Sequence, residues 1–297
     1  MSFAVITDST SDLSNEIREK YSIDYCQMEF SLDDKTFRAS LDWEDISPKE
    51  FYDSMRSGKR YKTVQVTFKT FDEKFREHLS KGEDILYIAC SSGLSGSVKT
   101  AQQVISQELR SDFPDRKIVC IDSLISGLGQ GSIAIKAAQM RDEGKSLDET
   151  AAWIEDNKLF FNQYGTVENL DYLKAAGRVT ASSAFFGNLF SVKPILISDL
   201  EGHNLAVKKV KGRKSSLYEL AAMTAQYITD PLSQTIYIGH ADDEEAANVV
   251  SDKIKELIPG ASTSLYVIGP IVGASVGPGT IIVFYSGRHK KEQLNGN

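Results

Sequence analysis

The sequence predicts an α/β fold built as two α/β domains, a parallel-sheet N-terminal domain over residues 1–160 and a mixed-sheet C-terminal domain over 161–297. Two observations carry this reading. Short β-branched runs at Phe3 to Thr7, Ile85 to Ala89 and Ile118 to Ile121 are each followed by a polar turn and then a helical pattern, the rhythm of βα units in a parallel sheet. From Lys158-Leu159-Phe160-Phe161 that rhythm gives way to strand-like runs mixed with helices, which places a domain boundary near residue 160.

The elements follow in order. Helical periodicity covers Ser95 to Leu109, Ser132 to Arg141 and Ser146 to Asn157, and the last opens with Ser146 and Glu149 at capping-box spacing. In the second half, strands are expected at Lys193 to Ile197, Thr235 to Gly239, Thr263 to Ile268 and Thr280 to Tyr285, with helices at Lys214 to Thr229 and Asp243 to Leu257. Gly287 to Asn297 is polar and reads as a loose tail.

Composition narrows the function classes. The 297 residues are 41% hydrophobic and 25% charged, as in an ordinary folded protein, and a formal net charge of -7 argues against a nucleic-acid partner. Cys26, Cys90 and Cys120 are odd in number, and the last two end apolar runs, so buried free thiols are expected rather than disulfides or a metal site. Asp8 arrives too early for a secretory segment, and charges or glycines break the longer apolar stretches, so a cytoplasmic location is expected.

Ala89-Cys90-Ser91-Ser92-Gly93-Leu94-Ser95-Gly96-Ser97 carries the clearest site signal. A strand opening into such a loop at a helix start gathers N–H groups and hydroxyls suited to a carboxylate or phosphate. The plainer reading is a serine-capped helix. Two further strand-end loops, Asp8-Ser9-Thr10-Ser11-Asp12 and Asp122-Ser123 through Gly131, would meet it at one sheet edge, although Asp8, Ser9 and Asp122 could each merely cap a helix. Arg178, after Gly177, could hold an anion or a nearby carboxylate, and Ala184 to Phe190 could be core or the wall of an apolar tunnel. Gly273-Ala274-Ser275-Val276-Gly277 matches a nucleophile elbow, but Pro278 and a strand-like run follow where a helix is needed, so a hydrolase is set aside. His240 stands at a strand end, whereas His78, His203 and His289 read as surface residues. Metal-ligand spacings and an ATP-binding P-loop are both absent from the sequence.

Taken together, Val5 to Leu13, the Ser91 to Ser97 loop, Ile121-Asp122-Ser123, Leu170 to Arg178, Lys193-Pro194-Ile195-Leu196 and Gly277-Pro278-Gly279 resemble the DegV family of bacterial fatty-acid-binding proteins over nearly the whole chain. The resemblance implies a long-chain fatty acid buried between two α/β domains, as a bound ligand rather than a cofactor, with no catalytic residues. It implies a carboxylate held by Thr63 and Ser95 with loop groups at Ser92, Gly93 and Gly96, supported by the Asp8, Ser9, Asp122 and Ser123 loops. It leaves open a separate ATP-binding fatty acid kinase subunit, to which the carboxylate would be presented, and a transient membrane-surface contact. Val64 and Val66 depart from the family's T-S-Q-P segment, and Ser275 stands where the family usually carries a histidine that, with the arginine matching Arg178, is tied to phosphoryl transfer. The alternatives are an acyl-ligand carrier or sensor without phosphorylation, and a stand-alone enzyme acting on a small anionic substrate.

Overall fold

A computed structural model describes residues 3–179 and 192–295. The first half contains β1 (Phe3–Asp8), α1 (Asn15–Tyr21), β2 (Ile23–Cys26), β3 (Met28–Leu32), β4 (Lys35–Ala39), α2 (Pro48–Arg56) and β5 (Lys62–Val64). It continues through α3 (Phe68–Ser80), β6 (Asp84–Ala89), α4 (Ser97–Val104), α5 (Arg110–Asp112), β7 (Ile118–Asp122), α6 (Leu128–Asp142) and α7 (Leu147–Asn157). The second half begins with β8 (Phe161–Thr166), α8 (Asp171–Ala176), β9 (Val192–Ser198), β10 (Asn204–Lys211) and α9 (Arg213–Tyr227). It ends with β11 (Thr235–His240), α10 (Glu244–Leu257), β12 (Ser262–Val267), α11 (Pro270–Val276), β13 (Ile281–Ser286) and α12 (Lys290–Asn295).

The described strands form three sheets. A four-stranded sheet in the order β2-β1-β6-β7 is parallel throughout, as the β-branched runs followed by polar turns predict. A six-stranded sheet, β10-β9-β8-β13-β11-β12, is mixed: only β11 and β12 pair in parallel. The third, β4-β3-β5, is small and antiparallel, and nothing in the sequence reading anticipates it.

Helix α6 explains how the two large sheets come together. It packs on β1, β2 and β6 with one side and on β8 and β13 with the other. A helix with sheets on two sides keeps only a narrow wet stripe, here the partly exposed Ser132, Lys136 and Gln139, and its Leu128, Ile133, Ala134, Ile135, Ala137, Ala138 and Met140 are all buried. Gly131 permits the close approach, because a Cβ there would lie 2.8 Å from the Ser11 carbonyl oxygen. The Ser146 capping box forms as expected, Ser146 N–H donating to Glu149 Oε2 at 2.9 Å and Glu149 N–H to Ser146 Oγ at 3.2 Å.

Two expectations need correction. The tail is not loose over residues 290–295, where α12 buries Lys290 and Gln293 to 2% exposure each. His78 is half-buried between two carboxylates, Nε2 lying 3.1 Å from Asp24 Oδ2 and Nδ1 2.7 Å from Glu83 Oε2. The bond to Asp24 is the main reason its pKa is raised.

Candidate functional site

In a parallel sheet the carboxyl ends of neighbouring strands share an edge. The loops after β1, β6 and β7 therefore stand side by side and form one floor of a cavity of about 330 Å³. The β3 and β5 strands close one side through Met28, Thr63, Val64 and the following Gln65. Helix α11 contributes Ile271, Val272, Ser275 and Val276, and the six-stranded sheet contributes Gln163, Asn204 and Ile282. That volume lies within the range of about 300 to 1,000 Å³ typical of small-molecule sites.

The serine loop is held by its own backbone. Leu94 and Ser95 N–H groups both donate to the Ser91 carbonyl at 3.0 Å, and Ser91 N–H donates to the Ile125 carbonyl at 3.0 Å. Ser95 and Ser97 hydroxyls lie 3.0 Å apart, and Ser97 N–H donates to Ser95 Oγ at 3.3 Å. Gly96 lets the Gln65 amide pack close, since a Cβ would fall 2.0 Å from Gln65 Oε1 and push that side chain aside. Among the described residues, nothing hydrogen-bonds the Thr63 hydroxyl or the Gly96 N–H, and both residues line the cavity.

Other residues singled out in the sequence lie behind this surface. Fully buried Asp8 accepts from Thr10 N–H at 3.0 Å, Thr10 Oγ1 at 2.5 Å, Tyr87 OH at 2.8 Å and Cys90 N–H at 3.1 Å, binding the first loop to the second. Ser9 Oγ accepts from Met28 N–H at 2.8 Å. Asp122 Oδ1 accepts from Ser92 N–H and Leu124 N–H, both at 3.1 Å, and Ser123 Oγ donates to the Ile125 carbonyl at 2.9 Å. Exposed Ser92 lies outside the cavity lining. Gly93 backs onto the β9–β10 turn, where a Cβ would meet Glu201 O and His203 Cδ2, each at 3.0 Å. His240 also lies off the cavity, with burial lowering its pKa.

Arg178 stands exposed at the rim. Gly177, with φ +66°, ends α8 in the left-handed conformation that reverses the chain there. Arg178 Nε donates to the Leu94 carbonyl at 3.3 Å, and its guanidinium also bonds the Ala176 carbonyl. A fixed positive charge thus lies beside the serine loop. Ser275 sits within α11 rather than on a strand-to-helix turn, which removes the nucleophile elbow on geometry. Burial pushes up the thiol of Cys90, which lines the cavity, and all three cysteines are free. The Ala184 to Phe190 segment lies outside the described residues.

Thr10 lines the cavity from the first of the expected loops, whereas Gln65, Gln163 and Asn204 are lining residues that the sequence reading missed. Gln163 carried a usable signal, a polar residue on the same strand face as Phe161.

The family model described as "Uncharacterised protein, DegV family" matches residues 2–288. The chain belongs to the DegV family. A DegV domain-containing protein of Clostridium perfringens (strain 13 / Type A) is 37% identical over 97% of this chain and 99% of its own. Among solved structures, a DegV family protein from Thermus thermophilus, described by its fatty acid binding, is 27% identical, with a TM-score of 0.84 over 96% of this chain and all of the other, 100%. DegV from Bacillus subtilis, described as a fatty acid binding protein, is 27% identical, with a TM-score of 0.81 over 97% and 100% of the two chains. Among the described residues of this DegV family member, no group of three or more His, Cys, Asp or Glu could hold a metal ion, and no helix is long and apolar enough to cross a membrane.

Proposed function

We propose that this chain is a lipid-binding protein that encloses one long-chain fatty acid in the cavity, with the carboxylate at Thr63, Ser95, the Gly96 N–H and Arg178. The observation that carries the reading is an unengaged hydroxyl and N–H beside a guanidinium, at one part of a cavity whose α11 wall is largely apolar. Hydrogen bonds to a charged group contribute roughly 1.5 to 3 kcal/mol each, and every buried methylene about 0.8 kcal/mol, so the chain supplies most of the affinity. The fatty acid binding of the Thermus thermophilus and Bacillus subtilis relatives supports it. We infer also a division into domains at 160/161, supported by the sheets: the six-stranded sheet draws only on strands from Phe161 onward.

Native mass spectrometry of the purified protein, followed by solvent extraction, tests the reading. A stoichiometric long-chain fatty acid is expected. An empty protein that takes up no added fatty acid would overturn it. Presentation of the carboxylate to an ATP-binding kinase subunit is the finer step, supported by the exposed Arg178 at the rim. Ser275 favours the second reading, a carrier or sensor without phosphorylation, because a serine in the lining has neither the reach nor the charge of a histidine. Acyl phosphate formation on adding ATP and such a subunit decides between them.

A further inference from the structure

A groove of about 240 Å³ runs along the narrow wet stripe of α6. Ser132, Lys136 and Gln139 of that stripe line it, together with Trp153 of α7, Phe161 of β8 and Tyr237 of β11. It shares no lining residue with the main cavity.

Lys136 gives this groove its charge. Its Nζ stands 5.2 Å from the centre of the Trp153 ring, within the range of a cation–π contact, so the ammonium is held against a wall of the groove. The residues three and four positions away on α6 are Ser132, Ile133, Gln139 and Met140, and none of them is a carboxylate that could neutralise it. Among the described residues Lys136 forms no ion pair, and no Asp or Glu lines the groove. The Trp153 indole N–H and the Tyr237 hydroxyl also have no hydrogen-bond partner among the described residues. All three side chains are partly exposed, and their polar atoms keep accessible surface. Open donors without an acid suit an anion, and a lone ammonium matches the single charge of a carboxylate better than a phosphate dianion. The rings of Trp153, Phe161 and Tyr237 suit an aromatic body. The volume falls below the ~300 Å³ at which typical small-molecule sites begin, which suits a body of about one or two fused rings rather than a long alkyl chain.

We propose that this groove is a second ligand site, which takes a compact aromatic carboxylate and pairs its acid group with Lys136. The site stands apart from the fatty-acid reading of the main cavity. Its lining joins α6 and α7 of the first half to β8 and β11 of the second, so an occupant touches both halves of the chain.

Calorimetric titration of the full protein with naphthoate and with its neutral counterpart naphthamide tests the proposal. Wild type is expected to bind the acid about 10-fold or more tightly than the amide, the range of one hydrogen bond to a charged group. Lys136→Met keeps an unbranched stem beside Trp153 and should bring naphthoate down to the affinity of the amide. Thr63→Ala, which alters the main cavity alone, should leave naphthoate affinity within about twofold. Equal wild-type affinity for acid and amide, or no binding of either, overturns the proposal. A preference for the acid that survives Lys136→Met overturns it too, as does a tenfold loss of naphthoate affinity in Thr63→Ala, which would put the acid in the main cavity. Should Lys136→Met fold poorly, wild type and Thr63→Ala still decide between these outcomes, and none of them bears on whether a fatty acid binds.

Discussion

Asp8 and Thr63 both belong to the polar surroundings of one cavity, and they spend their hydrogen-bonding capacity in opposite ways. Asp8 is saturated by the protein, taking bonds from Thr10, Tyr87 and Cys90 in a site without solvent exposure. Thr63 lines the cavity with a hydroxyl that no described residue engages. The polar groups here are therefore layered: a buried tier whose members bind one another, and a tier in front whose members are open to the cavity. Buried polar groups are nearly always paired, so an unpaired one facing a cavity is the more informative.

The largest effect expected from this contrast is at Asp8. Asp8→Ala would strand the Tyr87 hydroxyl, the Cys90 N–H and the Thr10 N–H in the interior, while the Thr10 hydroxyl keeps Gln130 Oε1 at 2.6 Å. Each stranded donor costs on the order of 1 to 3 kcal/mol, so urea unfolding should show a loss of at least ~3 kcal/mol. Thr63→Ala should do the reverse, changing stability by less than ~1 kcal/mol while weakening fatty acid binding by about 10-fold or more. Equal destabilisation by the two substitutions would erase the distinction between tiers.

Lys290 sharpens the contrast through pH. Its Nζ donates to the Leu124 carbonyl at 2.7 Å, bracing the loop that bears Ser126 on the cavity wall. Burial lowers its pKa to about 7, against the opposing pull of Asp199 and Asp122. A lysine in the unfolded chain titrates near pH ~10.4. Between these values the unfolded state holds one more proton than the folded state, so stability rises with pH by up to ~1.4 kcal/mol per unit. Below about pH 7 the desolvation cost of Lys290 is felt in full. Lys290→Met lacks this slope, and unfolding curves from pH 7 to 10 should show wild type gaining on the variant throughout. Parallel pH profiles would place the lysine in a wetter site.

Much of the front tier's framework was legible because it is local. A β-branched run followed by a Ser- and Gly-rich turn specifies a parallel strand and its loop within a dozen residues, as at Ile85 to Ser97. Thr63 came from family resemblance, since it lies on a three-residue strand. The small sheet escaped notice because Lys35-Thr36-Phe37-Arg38-Ala39 is mostly exposed and its hairpin with β3 turns on Asp33-Asp34, without the glycine that marks such turns. Helix α11 is buried on nearly every side, so Pro270 to Val276 shows no helical periodicity to find. His78 read as a surface residue, and Lys290 as part of a loose tail, because Asp24 and Leu124 reach them from 54 and 166 positions away.

The smallest effect is expected at Ser92, where the two tiers are easiest to confuse. Ser92 shares the serine loop with Ser95, yet its side chain is exposed and does not line the cavity. Its one described bond runs from its backbone N–H to Asp122 Oδ1, and alanine keeps that bond. Ser92→Ala should therefore leave fatty acid affinity within about twofold and stability within ~0.5 kcal/mol of wild type. A tenfold loss of affinity would mean that ligand binding rolls the loop and carries the Ser92 hydroxyl onto the carboxylate. The front tier would then be assembled by the ligand, whereas unchanged affinity means that it stands ready before the fatty acid arrives.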